Sequence, residues 1–178
     1  MVTKEKGYSK IEVDHDGIDE IEKLAEKSFL IGDYAKAEKL LKEAIKIRGK
    51  SLGKDHPDYA ASLNNLAEVY NSEGDYKKAE RLYKEALEIT RKSLGNDHPD
   101  YATSLNNLAG VYSSVGDYEK AERLYKEALE IIRKSLGKDH PNYATFLNNL
   151  AEVYRSVCDY KKAEALLIVG RSRWVHGE

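Results

Sequence analysis

Apolar residues in this chain recur at the three- and four-residue spacing of an amphipathic helix, and the stretches that carry them come in pairs. From Tyr59 they fall at Leu63, Leu66, Ala67 and Tyr70, while Asn64, Asn65, Glu68, Asn71 and Ser72 lie on the opposite side of the same turns. A second stretch follows at once, with Ala79, Tyr83 and Ala86 inward and Glu80–Lys84 and Glu88–Lys92 as i,i+4 ion pairs on the solvated face. Glycines 32, 53, 74, 95, 116 and 137 fall 21 residues apart and exclude a single long coiled coil, because the chain turns at each. All three prolines (Pro57, Pro99, Pro141) stand in a His-Pro dipeptide, where a helix can open because a first-turn N–H has no helical partner. Asp33, Asp75, Asp117 and Asp159 follow the other set of turns and suit an N-cap. Strand-like alternation is absent.

The pairing is a repeat. His56, His98 and His140 open near-copies 42 residues apart, and His56–Asp97 differs from His98–Asp139 at only seven places: 61/103, 68/110, 71/113, 73/115, 77/119, 90/132 and 96/138. A more diverged copy, Asp14–Asp55, precedes them, and a fourth follows the pattern to Glu164 before KKAEALLIVGRSRWVHGE replaces it. Internal periodicity of this length marks a repeat architecture. The frame Leu63-x2-Leu66-Ala67-x2-Tyr70, Gly74-Asp75-Tyr76, Ala79, Tyr83, Ala86 resembles the tetratricopeptide repeat, with Leu63, Ala67 and Tyr83 where that signature has Trp, Gly and Phe. With LNNLA and LG.DHP on a 42-residue period, it is similar to the repeats of kinesin light chains and their prokaryotic relatives. The resemblance implies an all-α, right-handed superhelical solenoid of antiparallel helix pairs: four tetratricopeptide-type repeats, about eight helices. The expected layout is a polar lead over 1–13 and an array over 14–178, divided at 14–55, 56–97, 98–139 and 140–178. A heptad coiled coil of the kind that ties light chains to a motor is not present ahead of the repeats in this sequence, so the resemblance implies a binding module and not a transport role.

In such an array the first helix of each pair lines the concave side, so its polar face becomes the floor of a groove. The candidate peptide-binding residues are therefore Asn64, Asn65, Glu68 and Asn71, then Asn106, Asn107 and Ser113, then Asn148, Asn149, Glu152 and Arg155. An amide donates and accepts at once, which suits the backbone of an extended peptide. In the family, peptide-contacting asparagines sit at the second place of the pair, which corresponds to Asn65, Asn107 and Asn149; Glu22 and Lys23 replace the pair in the first unit. The competing reading, that the asparagines bridge consecutive repeats, stays open from sequence alone. Three of the seven differences (61/103, 68/110, 71/113) fall on this face, which favours recognition. Relatives that grip acidic peptide tails carry several Lys or Arg residues here, whereas this face offers Glu22, Glu26, Glu68 and Glu152 against Lys23 and Arg155. The expected ligand is an extended, neutral to mildly basic peptide or protein segment.

Composition narrows the alternatives. Charged residues make up 34% of the 178, yet the formal net charge is -2, so no basic surface for nucleic acid is expected. No apolar run reaches the roughly 18 residues of a membrane span. One cysteine, Cys158, allows no internal disulfide, and a cytoplasmic location is expected. Repeated histidines invite a metal, but equivalent residues of a solenoid stand a helix layer apart, about 8–10 Å, whereas zinc ligands converge within about 2.0–2.1 Å of one ion. No catalytic constellation, cofactor motif or metal site is expected, and an enzyme is disfavoured. The thirteen tyrosines, including Tyr34, Tyr76, Tyr118 and Tyr160, read as core with the hydroxyl at a polar edge. Cys158 replaces a turn glycine, and Leu166, Leu167, Ile168, Val169 and Trp174 promise apolar surface at that end. Self-association through it is the alternative function.

Overall fold

A computed structural model describes residues 15–171 of the chain. Its helices are α1 (His15–Leu30), α2 (Tyr34–Ser51), α3 (Pro57–Ser72), α4 (Tyr76–Leu94), α5 (Pro99–Ser114), α6 (Tyr118–Ser135), α7 (Pro141–Ser156) and α8 (Tyr160–Arg171). Among the described residues there is no strand. The expected polar lead over 1–13, Trp174 and His176 lie outside the described residues. Each odd-numbered helix packs on the even-numbered helix that follows it, and each even-numbered helix packs on the next odd one. The odd helices α3, α5 and α7 also touch in succession, which places them on the inside of a solenoid.

Local chemistry sets the helix boundaries. Pro57, Pro99 and Pro141 occupy the first turn, and the preceding histidine is the N-cap: its Nδ1 accepts from the backbone N–H of Asp58, Asp100 or Asn142 at 3.1, 3.2 and 3.2 Å. The repeated histidines therefore hold helix starts, and no group of metal-ligating side chains converges among the described residues. Asp33, Asp75, Asp117 and Asp159 cap the even helices by accepting from Lys36, Lys78, Lys120 and Lys162 N–H. Gly32, Gly74 and Gly116 turn the chain in the left-handed region, with φ between 80° and 83°. Cys158 does the same work at φ 60°, where its Cβ crowds the following carbonyl. Cys158→Gly is expected to stabilise the last helix pair by about 1 kcal/mol, read as an increase in the urea midpoint at unchanged slope.

Small residues bring the helices together: Ala37, Ala44, Ala67, Ala79, Ala86, Ala109, Ala121, Ala128 and Ala151 are wholly buried. Leu63, Leu66, Leu105, Leu108, Leu147 and Leu150 fill the space between. Gly170 of α8 keeps the small place of Ala86 and Ala128 and is likewise buried. Between units, one polar clasp recurs three times. The Tyr70, Tyr112 and Tyr154 hydroxyls donate to Glu38, Glu80 and Glu122 of the preceding even helix at 2.7, 2.8 and 2.8 Å. Each glutamate also pairs with the lysine four residues on (Lys42, Lys84, Lys126), and Lys78, Lys120 and Lys162 lie about 5 Å over the tyrosine rings.

The first unit departs from its neighbours in one buried place. Arg48 of α2, at the position of Thr90 and Ile132, is only 6% exposed. Its guanidinium reaches Glu22 at 2.9 Å and Asp19 at 3.4 Å on α1, and donates to the Asp58 carbonyl and Ser62 Oγ on α3 at 2.9 and 3.2 Å. Three helices meet on that one cation. Glu22, read from sequence as a groove residue, is thus largely engaged inward. Tyr160 also departs from its expected place: it is 64% exposed, its hydroxyl resting 3.7 Å from Cys158 Sγ. The even-helix tyrosines Tyr34, Tyr76 and Tyr118 are half-buried, because a following helix covers them and none covers Tyr160 among the described residues.

Candidate functional site: the concave groove

The inner faces of α1, α3, α5 and α7 form the groove, and the two asparagines of each pair divide its labour. The first place stitches units together. Asn64 Nδ2 donates to Ser104 Oγ of the next inner helix at 3.1 Å, and in the first unit Glu22 takes the same place, accepting from Ser62 Oγ at 2.6 Å. Between α5 and α7 the serine is replaced by Phe146, so the partner moves one helical turn along α7: Asn106 Oδ1 accepts from Asn149 Nδ2 at 3.0 Å. Asn106 is accordingly buried. Asn65 and Asn148 are exposed, and Asn107 is half-exposed. Asn107 Oδ1 accepts from Asn106 Nδ2 at 3.4 Å, which turns the Asn107 NH2 group away from its neighbour. Asn71 and Ser113 are half-buried on the same face, and Arg155 pairs with Glu152 at 3.1 Å.

Two clefts run along this face. The first, of about 410 Å³, lies between α1 and α3, with Lys23, Glu26, Asn65 and Glu68 at its rim and Phe29 and Leu41 at its base. The second, of about 380 Å³, lies between α3 and α5, where Ala61, Asn65 and Glu68 face Thr103 and Asn107. Asn65 and Glu68 form the wall the two share. Glu68 presents area to solvent, but groove walls crowd its carboxyl; that desolvation, then the nearby Glu26 charge, holds it above the usual carboxylate range. This end of the groove is electronegative.

In α5 the place of Glu68 and Glu152 belongs to Gly110. Its φ is not in the left-handed region, and a Cβ there would meet only the Tyr125 hydroxyl, at an ordinary 3.5 Å. A helix-interior glycine costs about 1 kcal/mol relative to alanine, and the packing here does not require it. Beneath it Tyr125 is 5% exposed, and burial pushes its hydroxyl up to about 12. Sequence reading noted the 68/110 difference but missed the tyrosine below it, since Tyr125 reads as a plain core position.

Helix pairs stacked into a solenoid with a polar inner groove define a helical-repeat interaction scaffold. The sequence matches the tetratricopeptide repeat model over residues 21–92, 63–134 and 105–168, and the chain belongs to that family. It is of the kinesin light chain-like type. The structure of BtubC (BKLC) from P. vanneervenii is similar, with a TM-score of 0.78 and 31% identity over 89% of this chain; the chain spans 62% of that protein's length. A kinesin light chain protein of Podosopora anserina with nearly identical TPR-like repeats has a TM-score of 0.72 and 25% identity, over 96% of this chain and 82% of that one. RapI in its apo form shares the fold, with a TM-score of 0.75 and 21% identity, over 93% of this chain and 58% of that one. None of the curated proteins matches the sequence. Members of the family are generally non-catalytic scaffolds; the repeats mediate protein–protein contacts, and the chain is a protein-interaction module. No helix among the described residues is long and apolar enough to cross a membrane.

Proposed function

We propose that the array, with units at 14–55, 56–97, 98–139 and 140–178, binds an extended, neutral to mildly basic peptide segment of a partner protein along the concave groove. The observation that carries this reading is the shared wall of the two clefts, where Asn65 offers an amide beside the carboxyl of Glu68. An amide can engage a peptide N–H and carbonyl together, and Glu26 and Glu68 favour a cation over an anion beside it. Asn64, Asn106 and Asn149 contribute through the stitches that set the spacing of units, whereas Asn65, Asn107, Asn148 and Glu68 meet the peptide.

A random-peptide display selection tests it. Enriched peptides are expected to be poor in Asp and Glu and to lose most of their affinity for Asn65→Ala/Asn107→Ala, a variant that keeps its helicity because neither residue forms a stitch. Glu68→Gln is expected to weaken basic peptides selectively. It also removes a carboxyl whose folded-state pKa is raised. Such a group contributes stability below its unfolded pKa that is lost as pH rises through the folded one, so the variant gains stability at neutral pH. Enrichment of acidic peptides would overturn the charge assignment.

A second reading rests on α8. Glu164 keeps the place of the clasp glutamates Glu38, Glu80 and Glu122, but Ile168 stands where Lys42, Lys84 and Lys126 stand. With Tyr160 and Leu167 these residues border a hollow of about 270 Å³ on a face that takes the next inner helix in each earlier unit. If α8 docks a second copy, the mass in solution rises with concentration and Ile168→Lys abolishes the rise.

A further inference from the structure

The centre of the groove differs from both flanks in having an opening where they have a side chain. In α3 and α7 the place is filled by Glu68 and Glu152; in α5 it is Gly110, and the nearest atom to its open side is the Tyr125 hydroxyl. That hydroxyl has no partner among the described residues, although its ring is 5% exposed. The hydroxyl oxygen itself is not sealed in, so a hydroxyl at the tip of a buried ring, open on the Gly110 side and without a protein partner, is a free hydrogen-bonding position. The arrangement occurs once among the described repeats. Tyr83, the counterpart in the second unit, lies within the field of the Glu68 carboxylate, and Leu167 replaces the tyrosine in the fourth.

Asn107 lies one helical turn before Gly110 on the same face. Its Oδ1 is taken by Asn106, which leaves its NH2 as the free end. Two donors, the Tyr125 O–H beside Gly110 and the Asn107 N–H one turn earlier, therefore share this stretch of the groove face of α5. Neither carries charge, and the raised pKa of Tyr125 keeps its proton in place across the physiological range.

We infer that the notch at Gly110 is an anchoring subsite for the main chain of the bound peptide, in which Tyr125 Oη and Asn107 Nδ2 donate to backbone carbonyl oxygens. The acceptor is a neutral carbonyl because the face also bears Glu26, Glu68 and Glu152, and its cation Arg155 is already paired with Glu152. A side chain at 110 would hold the peptide backbone off the Tyr125 hydroxyl. This accounts for a glycine that neither φ nor packing requires. The inference rests on the groove reading, naming where in the groove the backbone is gripped.

The test uses synthetic peptides enriched from a random-peptide display library against the intact chain. Gly110→Ala is expected to raise Tm by about 2–4 °C, as alanine improves the helix, and at the same time to weaken peptide binding. Tyr125→Phe is expected to weaken binding by about threefold to tenfold, the range of one neutral hydrogen bond, with helicity unchanged. The double variant should lose no more than the stronger single one, since both remove one contact. Replacing one peptide amide by an ester, which makes its carbonyl a poorer acceptor, should weaken binding to the wild type and not to Tyr125→Phe. Peptides that need Asn65 and Asn107 but bind Gly110→Ala and Tyr125→Phe as tightly as the wild type would overturn the notch and leave the groove reading standing. A selection that enriches nothing would remove both.

Discussion

Arg48→Met is expected to lower stability by about 3–5 kcal/mol, because it strands the acids that converge on the guanidinium. Glu22 is the one most affected: its side chain is 18% exposed, and it is held by Arg48 and by Ser62. Methionine fills much of the volume but offers none of the donors to Glu22, Asp19 or the Asp58 carbonyl. The solenoid couples each unit only to its neighbours, so the loss should appear as early melting of α1 and α2 from α3, ahead of the rest. Urea titration followed by circular dichroism, with hydrogen exchange at α1 and α2, separates that step from global unfolding. The double replacement Glu22→Asn/Arg48→Thr, which installs the residues found at Asn64 and Thr90 in the next unit, is expected to recover most of the loss. Arg48 Nε is enclosed without a partner among the described residues, so the cluster is not fully satisfied and removing it whole costs far less than breaking it. A single-variant loss under about 1 kcal/mol would show that the node does not hold the first unit in place.

Phenylalanine at 70, 112 and 154 together is expected to cost about 3 kcal/mol, near 1 kcal/mol for each hydroxyl removed from a carboxylate at the rim of its interface. The three clasps lie in separate interfaces, so their effects should add. The same variant tests the acid side of the stability curve. Glu38, Glu80 and Glu122 are held below the usual carboxylate range, first by the lysine four residues on; the tyrosine hydroxyl adds to the lowering in each case. A group whose folded pKa is depressed contributes stability that is present above its unfolded value, about 4.3, and is lost as pH falls through the folded one. The wild type should therefore weaken as pH drops below about 4, and the triple variant should weaken less over the same interval, having lost one of two donors to each carboxylate. An equal drop in both, followed by urea midpoints at neutral and acid pH, would assign the acid loss to the lysine pairs alone.

The helix pairs and their register were legible because each signal was local and repeated. His-Pro starts, Asp caps and turn glycines fix boundaries within a few residues of themselves, and the 42-residue period shows each signal again in every unit. The groove face was legible for the same reason: Asn65, Asn107 and Glu68 fall opposite the apolar stripe on any helical wheel. What the wheel cannot show is the neighbour across an interface. It places Asn64 and Asn65 100° apart on one helix, yet only the stacking of α3 on α5 spends Asn64 on Ser104 and leaves Asn65 to the groove. Phe146 in place of serine then moves the stitch to Asn149, which no spacing rule anticipates. The tyrosines divide likewise: Tyr34, Tyr76 and Tyr118, expected in the core, are half-buried under a following helix, and Tyr160 is exposed.

By itself the sequence determined the class of element, the number of turns, the order of packing and the family, because these follow from periodicity and from caps that act over one helical turn. Only the tertiary structure decided what the polar side chains do. It drew Arg48, Glu22 and Ser62 from three helices into one buried node, and set each clasp tyrosine on a glutamate 32 residues away. It also laid Gly110 over the hydroxyl of Tyr125. These are contacts between layers, fixed by how far and at what angle one helix pair sits on the next, and that geometry is a property of all the buried residues of an interface together.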